Sequence, residues 1–98
     1  MTEEEIREEL KQVIDPELGI NIVDLGLIYG IENNDGHVHI DMTLTTPGCP
    51  MHGRMEYDIL YTLHEHDEIK RVEVELVWEP RWTPEAMSDE AKEMLWGF

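Results

Sequence analysis

The stretch "NNDGHVHIDMTLTTPGCP", residues 33–50, contains a predicted turn, a strand and the point at which that strand ends. Asn, Asp and Gly tolerate positive φ angles, so residues 33–36 predict the turn of a β-hairpin. The residues that follow alternate between apolar and polar side chains, which is typical of a strand with one buried face. The apolar positions are Val38, Ile40, Met42 and Leu44, and the polar positions are His39, Asp41, Thr43 and Thr45.

The elements on either side of this stretch complete a small sheet and a covering helix. Residues 27–32 predict the first strand of the hairpin, and residues 69–78 predict a third strand with Trp78 at the end of its apolar face. Pro50 suits the first position of a helix. That helix has an apolar stripe at i, i+4 spacing, formed by Met51, Met55, Ile59 and Leu63. A strand, a helix and a further strand in this order predict a crossover connection within one sheet.

Two further helices are predicted at the ends of the sequence. Thr2 and Glu5 match a capping box at the start of the first helix. Its apolar positions continue to Ile14, and Asp15-Pro16 is expected to end it. Residues 84–95 predict a last helical stretch.

The resulting order of elements, α-β-β-α-β-α, predicts an α+β fold. We expect a two-layer sandwich in which helices cover one face of a small mixed sheet. A chain of 98 residues is expected to form a single domain over residues 1–98.

Charge and cysteine content restrict the function and the location. The formal net charge is −16, from 23 acidic and 7 basic side chains, which disfavours nucleic acid and favours protein partners. A single cysteine cannot form an internal disulfide, which indicates a reducing compartment. The acidic N-terminus does not resemble a signal peptide, and no apolar run reaches the length of a membrane helix. We therefore expect a cytoplasmic protein that does not associate with membranes.

The single cysteine, Cys49, lies where the predicted strand stops and the predicted helix starts. Backbone N–H groups at a helix start lower the pKa of a thiol, which favours a nucleophile or a metal ligand. Surrounding acidic charge acts in the opposite direction. His52, three residues on, makes either a nucleophile with its base or half a metal site conceivable. The alternative is that Cys49 is an inert, buried small hydrophobic residue.

Other candidate residues are acidic, aromatic or histidine side chains. Asp15, Glu17 and Asp24 precede the first strand of the hairpin, and their loop either caps backbone groups or brings an acid near Cys49. The tryptophans form either a contact surface or part of the core; they are Trp78, Trp82 and Trp96. The remaining histidines are expected to be solvated surface residues; they are His37, His39, His64 and His66.

Three separated blocks resemble one known family. They are "DPELGINIVDLGLIYGI" at 15–31, "TLTTPGCPM" at 43–51 and "VWEPRWTPEAMSDEAKEML" at 77–95. Together they resemble the metal–sulfur cluster biosynthetic family, the SufT/PaaD-like domain, which also occurs fused to Mrp-type ATPases. The resemblance extends from about residue 4 to residue 95 and implies the iron–sulfur cluster assembly fold.

The resemblance also implies a site and a role. The site residues of the family correspond here to Asp15, Glu17, Asp24, Thr46 and Cys49, whereas His52 is not a fixed part of the motif. The implied role is that of a non-enzymatic accessory factor, a carrier or adaptor, which works with the iron–sulfur assembly machinery and its apo client proteins. The implied cofactor is a transient iron–sulfur cluster or iron.

One thiolate cannot supply the four protein ligands that a cluster normally takes. Either two subunits of a homodimer bridge a labile cluster with outside thiols, or Cys49 contacts a metal or client only transiently. Two other functions also stay open: an interaction module without metal, and a thiol enzyme that uses Cys49 and His52.

Overall fold

The computed structural model describes residues 1–16, 18–45 and 52–96, apart from the side chains of His52 and Trp96. The helices are α1 (Glu3–Leu10), α2 (His52–His64) and α3 (Asp89–Trp96), with a short 3₁₀ helix at Pro84–Ala86. The strands are β1 (Ile14–Asp15), β2 (Ile20–Asn21), β3 (Ile28–Asn34), β4 (His37–Met42) and β5 (Arg71–Leu76).

The predicted hairpin forms two of the three strands of a mixed sheet, with β4 in the centre. Asp35 and Gly36 have φ angles of 52° and 92° and form the two-residue turn. The strand order is β3-β4-β5, in which β4 pairs antiparallel with β3 and parallel with β5. The parallel pair confirms the predicted crossover, because α2 connects β4 to β5 along the chain.

Helices cover one face of this sheet, as predicted for a two-layer sandwich. On β4, Ile40 is fully buried, and on α2 the side chains of Met55, Ile59 and Leu63 are fully buried. Each such side chain contributes about 1.5–3 kcal/mol through burial of apolar surface. Ile6 on α1 belongs to the same apolar cluster, so the first two helices pack on one core.

The first helix begins as predicted and ends earlier than predicted. Thr2 Oγ1 accepts a 3.0 Å hydrogen bond from the Glu5 N–H, and Glu5 Oε1 accepts one of 2.8 Å from the Thr2 N–H. The helix ends at Leu10, because Ile14 instead pairs with Asn21 in the β1–β2 ladder. The expectation that Ile14 continues the helical apolar face is therefore wrong, and its side chain is 44% exposed.

The third strand and the last helical stretch also differ from prediction. β5 ends at Leu76, so its alternation does not extend to Trp78, which is 45% exposed instead of buried. The predicted helix over 84–95 consists of the 3₁₀ helix and α3, separated at Met87 and Ser88. Within the ranges given above, no helix has the length and apolar composition needed to cross a bilayer.

Candidate functional site

Asp15, the first predicted site residue, lies inside the protein at the end of β1. It is 2% exposed and pairs with Ile20 of β2. Gly19, with φ at +70°, turns the chain so that its N–H donates a 2.7 Å hydrogen bond to the Asp15 carbonyl. Carboxylates are seldom fully buried, because desolvation of the charge is costly. The local fold therefore holds this acid in an unusual environment for its type.

Asp24 is tied to the same pair of short strands through Asn21. The Asn21 Nδ2–H donates a 2.7 Å hydrogen bond to Asp24 Oδ2, and the Asp24 N–H donates one of 2.8 Å to Asn21 Oδ1. Asn21 is in turn the strand partner of Ile14, the residue before Asp15. Both acids are therefore attached to the β1–β2 pair, Asp15 as a strand residue and Asp24 through Asn21.

The segment that follows β5 packs directly against this loop. The Ser88 N–H donates a 2.8 Å hydrogen bond to the Asp24 carbonyl, and the Trp82 Nε1–H donates one of 2.7 Å to the Leu25 carbonyl. Gly26, with φ at +77°, lies so close to Ala86 that a Cβ there would be 2.3 Å from the Ala86 carbonyl oxygen. The first and third motif blocks of the sequence are therefore in contact, and the contact requires glycine at position 26.

A groove of about 540 Å³ opens between the end of β4 and this segment. Its lining residues are Thr43, Leu44, Thr45, Trp78, Glu79, Arg81 and Trp82. The groove was not predicted, because the sequence alone does not show that β4 and β5 are parallel neighbours. Parallel strands place the residues that follow them at one edge of the sheet, so the segments after β4 and β5 had to meet.

Two of the three tryptophans line the groove and differ in their exposure. Trp78 is the exposed aromatic residue of the groove, whereas Trp82 is half-buried and hydrogen-bonded to the backbone. The Trp96 side chain lies outside the described residues.

The predicted centre of the site lies outside the described residues. Glu17, Thr46 and Cys49 belong to it, so the position of Cys49 at a helix start stays a prediction. On either side of this segment, Thr45 lines the groove and α2 begins at His52. The first turn of α2 contains no acidic residue, so the carboxylates that would raise a thiol pKa are absent from that turn. The His52 side chain is outside the described residues, and its distance to Cys49 stays untested.

Known proteins with similar sequences come from several bacteria. The chain is 46% identical over 90 residues to the Fe-S protein maturation auxiliary factor YitW of Bacillus subtilis, covering 91% of this chain and 88% of that protein. It is 49% identical over 81 residues to the auxiliary factor SufT of Staphylococcus aureus, covering 82% and 92%. It is 35% identical over 66 residues to an iron-sulfur cluster carrier protein of Deinococcus radiodurans, covering 67% of this chain and 19% of that protein.

A solved structure has the same fold. The crystal structure of a DUF59 domain from Bacillus anthracis is similar with a TM-score of 0.87 and 41% identity, covering 92% of this chain and 87% of that chain. A family model described as iron–sulfur cluster assembly protein matches residues 3–76. These matches confirm the resemblance of the three motif blocks, and the chain belongs to the iron–sulfur cluster assembly protein family.

Proposed function

We propose that this protein is an accessory factor in the maturation of iron–sulfur proteins, and that Cys49 contacts iron or a cluster during transfer. Relatives that match most of the chain are named as maturation auxiliary factors, which supports the role. One observation carries the assignment of the site. The Asp15–Asp24 loop is held by the segment after β5, next to the strand end that leads into the cysteine-containing segment.

In this proposal the cluster is cargo and not a resident cofactor. A stable cluster normally takes four protein ligands, mostly thiolates, whereas the chain has one cysteine. One thiolate per chain suits a contact that forms and breaks as cargo moves to a client. If a cluster is held briefly, two chains and outside thiols supply the ligands, which predicts a homodimer only in the loaded state.

In this proposal the acidic residues act beside Cys49. Glu17 and Asp24 supply carboxylate oxygens, which bind iron more weakly than thiolates and release it more readily, whereas the buried Asp15 supports their loop from inside. Thr46 supplies a hydroxyl that can donate a hydrogen bond to a cluster sulfur or to the thiolate. The hydrogen bonds from Asn21 to Asp24 and from the Ser88 N–H to its carbonyl fix the orientation of that acid.

The same proposal covers enzyme status, partners and location. The relatives are named as auxiliary and carrier factors, which is consistent with a protein that does not catalyse a reaction. The partners proposed are the cluster assembly machinery and apo client proteins. The single cysteine, which cannot form an internal disulfide, supports a location in the reducing cytoplasm.

The proposal is tested by the activation of an apo client. An apo dehydratase that needs a cluster is mixed anaerobically with a cluster donor, with and without this protein, and its enzyme activity is followed with time. The wild-type protein is expected to accelerate activation, and Cys49→Ser and Asp15→Asn are expected to lose most of that acceleration. Asp35→Asn, which changes an exposed acid at the hairpin turn, is the matched control and should behave as wild type. Equal acceleration by Cys49→Ser would contradict the thiol's role, and no acceleration by the wild type would contradict the accessory role.

A second candidate function is partner recruitment without metal. The exposed Trp78 in a groove beside Arg81 favours it, since aromatic and arginine side chains dominate protein interfaces. In a pull-down with tagged protein, recruitment alone predicts that Cys49→Ala recovers the same assembly proteins as wild type while Trp78→Ala loses them. If Cys49→Ala loses the partners and Trp78→Ala keeps them, recruitment through the groove is wrong.

A further inference from the structure

The face of the sheet opposite the helices carries a histidine surrounded by carboxylates. His39 and Asp41 are two positions apart on β4, so their side chains point to the same face. Asp41 pairs with Glu75 of β5, and His39 pairs with Glu73. Parallel pairing of β4 with β5 therefore places three carboxylates around one imidazole, on the face that α1 and α2 leave uncovered.

The distances within this group are those of a metal ligand set. His39 Nε2 lies 3.0 Å from Asp41 Oδ1 and 3.7 Å from Glu75 Oε1. One ligand atom from each of these three residues can be chosen so that all lie within 4.8 Å of one another. Zinc bonds of 2.0–2.2 Å in a tetrahedral site place ligand atoms about 3.3–3.6 Å apart, so the two distances from His39 Nε2 would each change by only a few tenths of an ångström on coordination.

The other nitrogen of the ring faces a fourth group. Glu73 Oε2 lies 3.8 Å from His39 Nδ1, and the Arg71 guanidinium holds the other oxygen, Oε1, at 3.0 Å. Histidines that bind metals through one nitrogen usually direct the other N–H toward a carboxylate, which fixes the ring and its tautomer. Both ring nitrogens of His39 therefore have a carboxylate oxygen within 3.8 Å.

From this geometry we propose that His39, Asp41 and Glu75 bind a divalent transition-metal ion of the Zn²⁺ class, with Glu73 as the outer carboxylate that orients the ring. One imidazole nitrogen and two carboxylate oxygens suit Zn²⁺, Co²⁺ or Mn²⁺, and water completes the coordination. None of these residues takes part in the role proposed for Cys49, so the two proposals can fail independently.

A glycine on the neighbouring strand lies beside the Asp41 carboxylate. Gly30 on β3 is the strand partner of Asp41, and a Cβ at position 30 would lie 3.3 Å from Asp41 Oδ2. Position 30 therefore leaves room beside the Asp41 carboxylate that a side chain there would restrict.

Isothermal titration of the full chain with Zn²⁺ at neutral pH tests this site. The parent protein and its variants carry Cys49→Ser, so that the thiol cannot bind the ion. One further titration, with Cys49 intact, measures how much the thiol contributes to Zn²⁺ binding. His39→Asn and Glu75→Gln are each expected to raise the Kd by more than about tenfold, since even outer-ligand changes commonly cost 10- to 100-fold. His37→Asn removes an exposed histidine two positions away on the same strand and is the matched control, with no change expected.

NMR of the histidine rings supplies a readout that is independent of affinity. Zn²⁺ should shift the ring signals of His39 and leave those of His37 unchanged. The proposal is overturned if Zn²⁺ does not bind, or if His39→Asn and Glu75→Gln both bind it as tightly as the parent with an unchanged folded spectrum. Equal loss of binding in His37→Asn would also overturn it, since the ion would then lie elsewhere on the hairpin.

Discussion

The indole of Trp82 and the carbonyl of Leu25 are joined by a 2.7 Å hydrogen bond between residues 57 positions apart. This bond connects the segment after β5 to the loop that holds Asp24, and the Ser88 N–H adds a second connection to the Asp24 carbonyl. Two parts of the chain that are distant in sequence therefore form one side of the candidate site. The stability of that side depends on a few identifiable contacts, which can be changed singly.

Replacing Trp82 with Phe should destabilise the protein modestly. The ring is largely kept while the N–H donor is lost, so the free energy of unfolding should fall by about 0.5–1.5 kcal/mol, the usual net value of one hydrogen bond. Urea unfolding followed by circular dichroism measures this change. Trp78→Phe, at a 45% exposed position, is the control and should change stability by less than about 0.5 kcal/mol. An equal effect of the two substitutions would show that the Leu25 contact is not specific.

Replacing Gly26 with Ala should have a larger effect. The φ of +77° disfavours any side chain, and the added Cβ would approach the Ala86 carbonyl oxygen to 2.3 Å. Since both the loop and the segment after β5 must shift, we expect a loss of at least about 2 kcal/mol in the free energy of unfolding. Thermal and urea unfolding measure it.

Gly53→Ala is the matched control for this change. Gly53 lies in α2 with open space around its Cα, and alanine there should stabilise the helix by about 0.5–1 kcal/mol. If Gly26→Ala were as well tolerated as Gly53→Ala, the result would contradict the close contact between Gly26 and Ala86.

Replacing Ile59 with Ala tests the core and the domain organisation together. Ile59 is fully buried on α2, so the cavity should cost about 2–5 kcal/mol. Unfolding should remain one cooperative transition at a lower denaturant concentration, as expected if residues 1–98 form a single domain. Two separate transitions, by fluorescence and by circular dichroism, would contradict that prediction.

The pH dependence of stability should reveal His39 in the metal-free protein. The hydrogen bond to Asp41, together with the charges of Asp41, Glu75 and Glu73, raises the pKa of His39 above its usual value. Because the folded protein favours protonated His39, this residue stabilises the fold at pH values below the pKa of His39 in the unfolded chain. That stabilisation is lost as the pH rises through the pKa of His39 in the folded protein. His39→Gln should therefore lower stability most at mildly acidic pH and least at alkaline pH.

Titration of the ring signals by NMR checks the same point directly. His39 should deprotonate at a higher pH than a model histidine, and Asp41→Asn should lower its pKa. Glu32 of β3 pairs with His39, and Arg71 of β5 lies beside Glu73. The pKa of His39 should therefore also be measured in variants of Glu32 and Arg71. A normal pKa for His39 in the wild-type protein would contradict the described hydrogen bond.

The parts of the fold that depend on local signals were predictable. Positive φ at Asp35 and Gly36 follows from residue type, and the buried stripe of Met55, Ile59 and Leu63 follows from helical spacing. Ile14 was predicted wrongly, because its apolar character fits a helix face as well as a short strand, and only pairing with Asn21 decides between them.

The parts that depend on strand order were not predictable. The groove at Trp78 requires that β4 and β5 be parallel neighbours, and the group around His39 requires the register in which Asp41 faces Glu75. Alternation placed each of these side chains on a face but could not place two strands side by side. Of the predicted site, Asp15 and Asp24 are attached to the β1–β2 pair, whereas the places of Glu17, Thr46 and Cys49 stay predictions.

The most direct test of the central claim is the iron and acid-labile sulfide that elute with this protein after anaerobic mixing with a cluster donor. The wild-type protein should acquire iron and sulfide and lose both when an apo client is added, while Cys49→Ser should acquire neither. If Cys49→Ser acquires and releases them as the wild type does, the thiol is not the contact for the cargo.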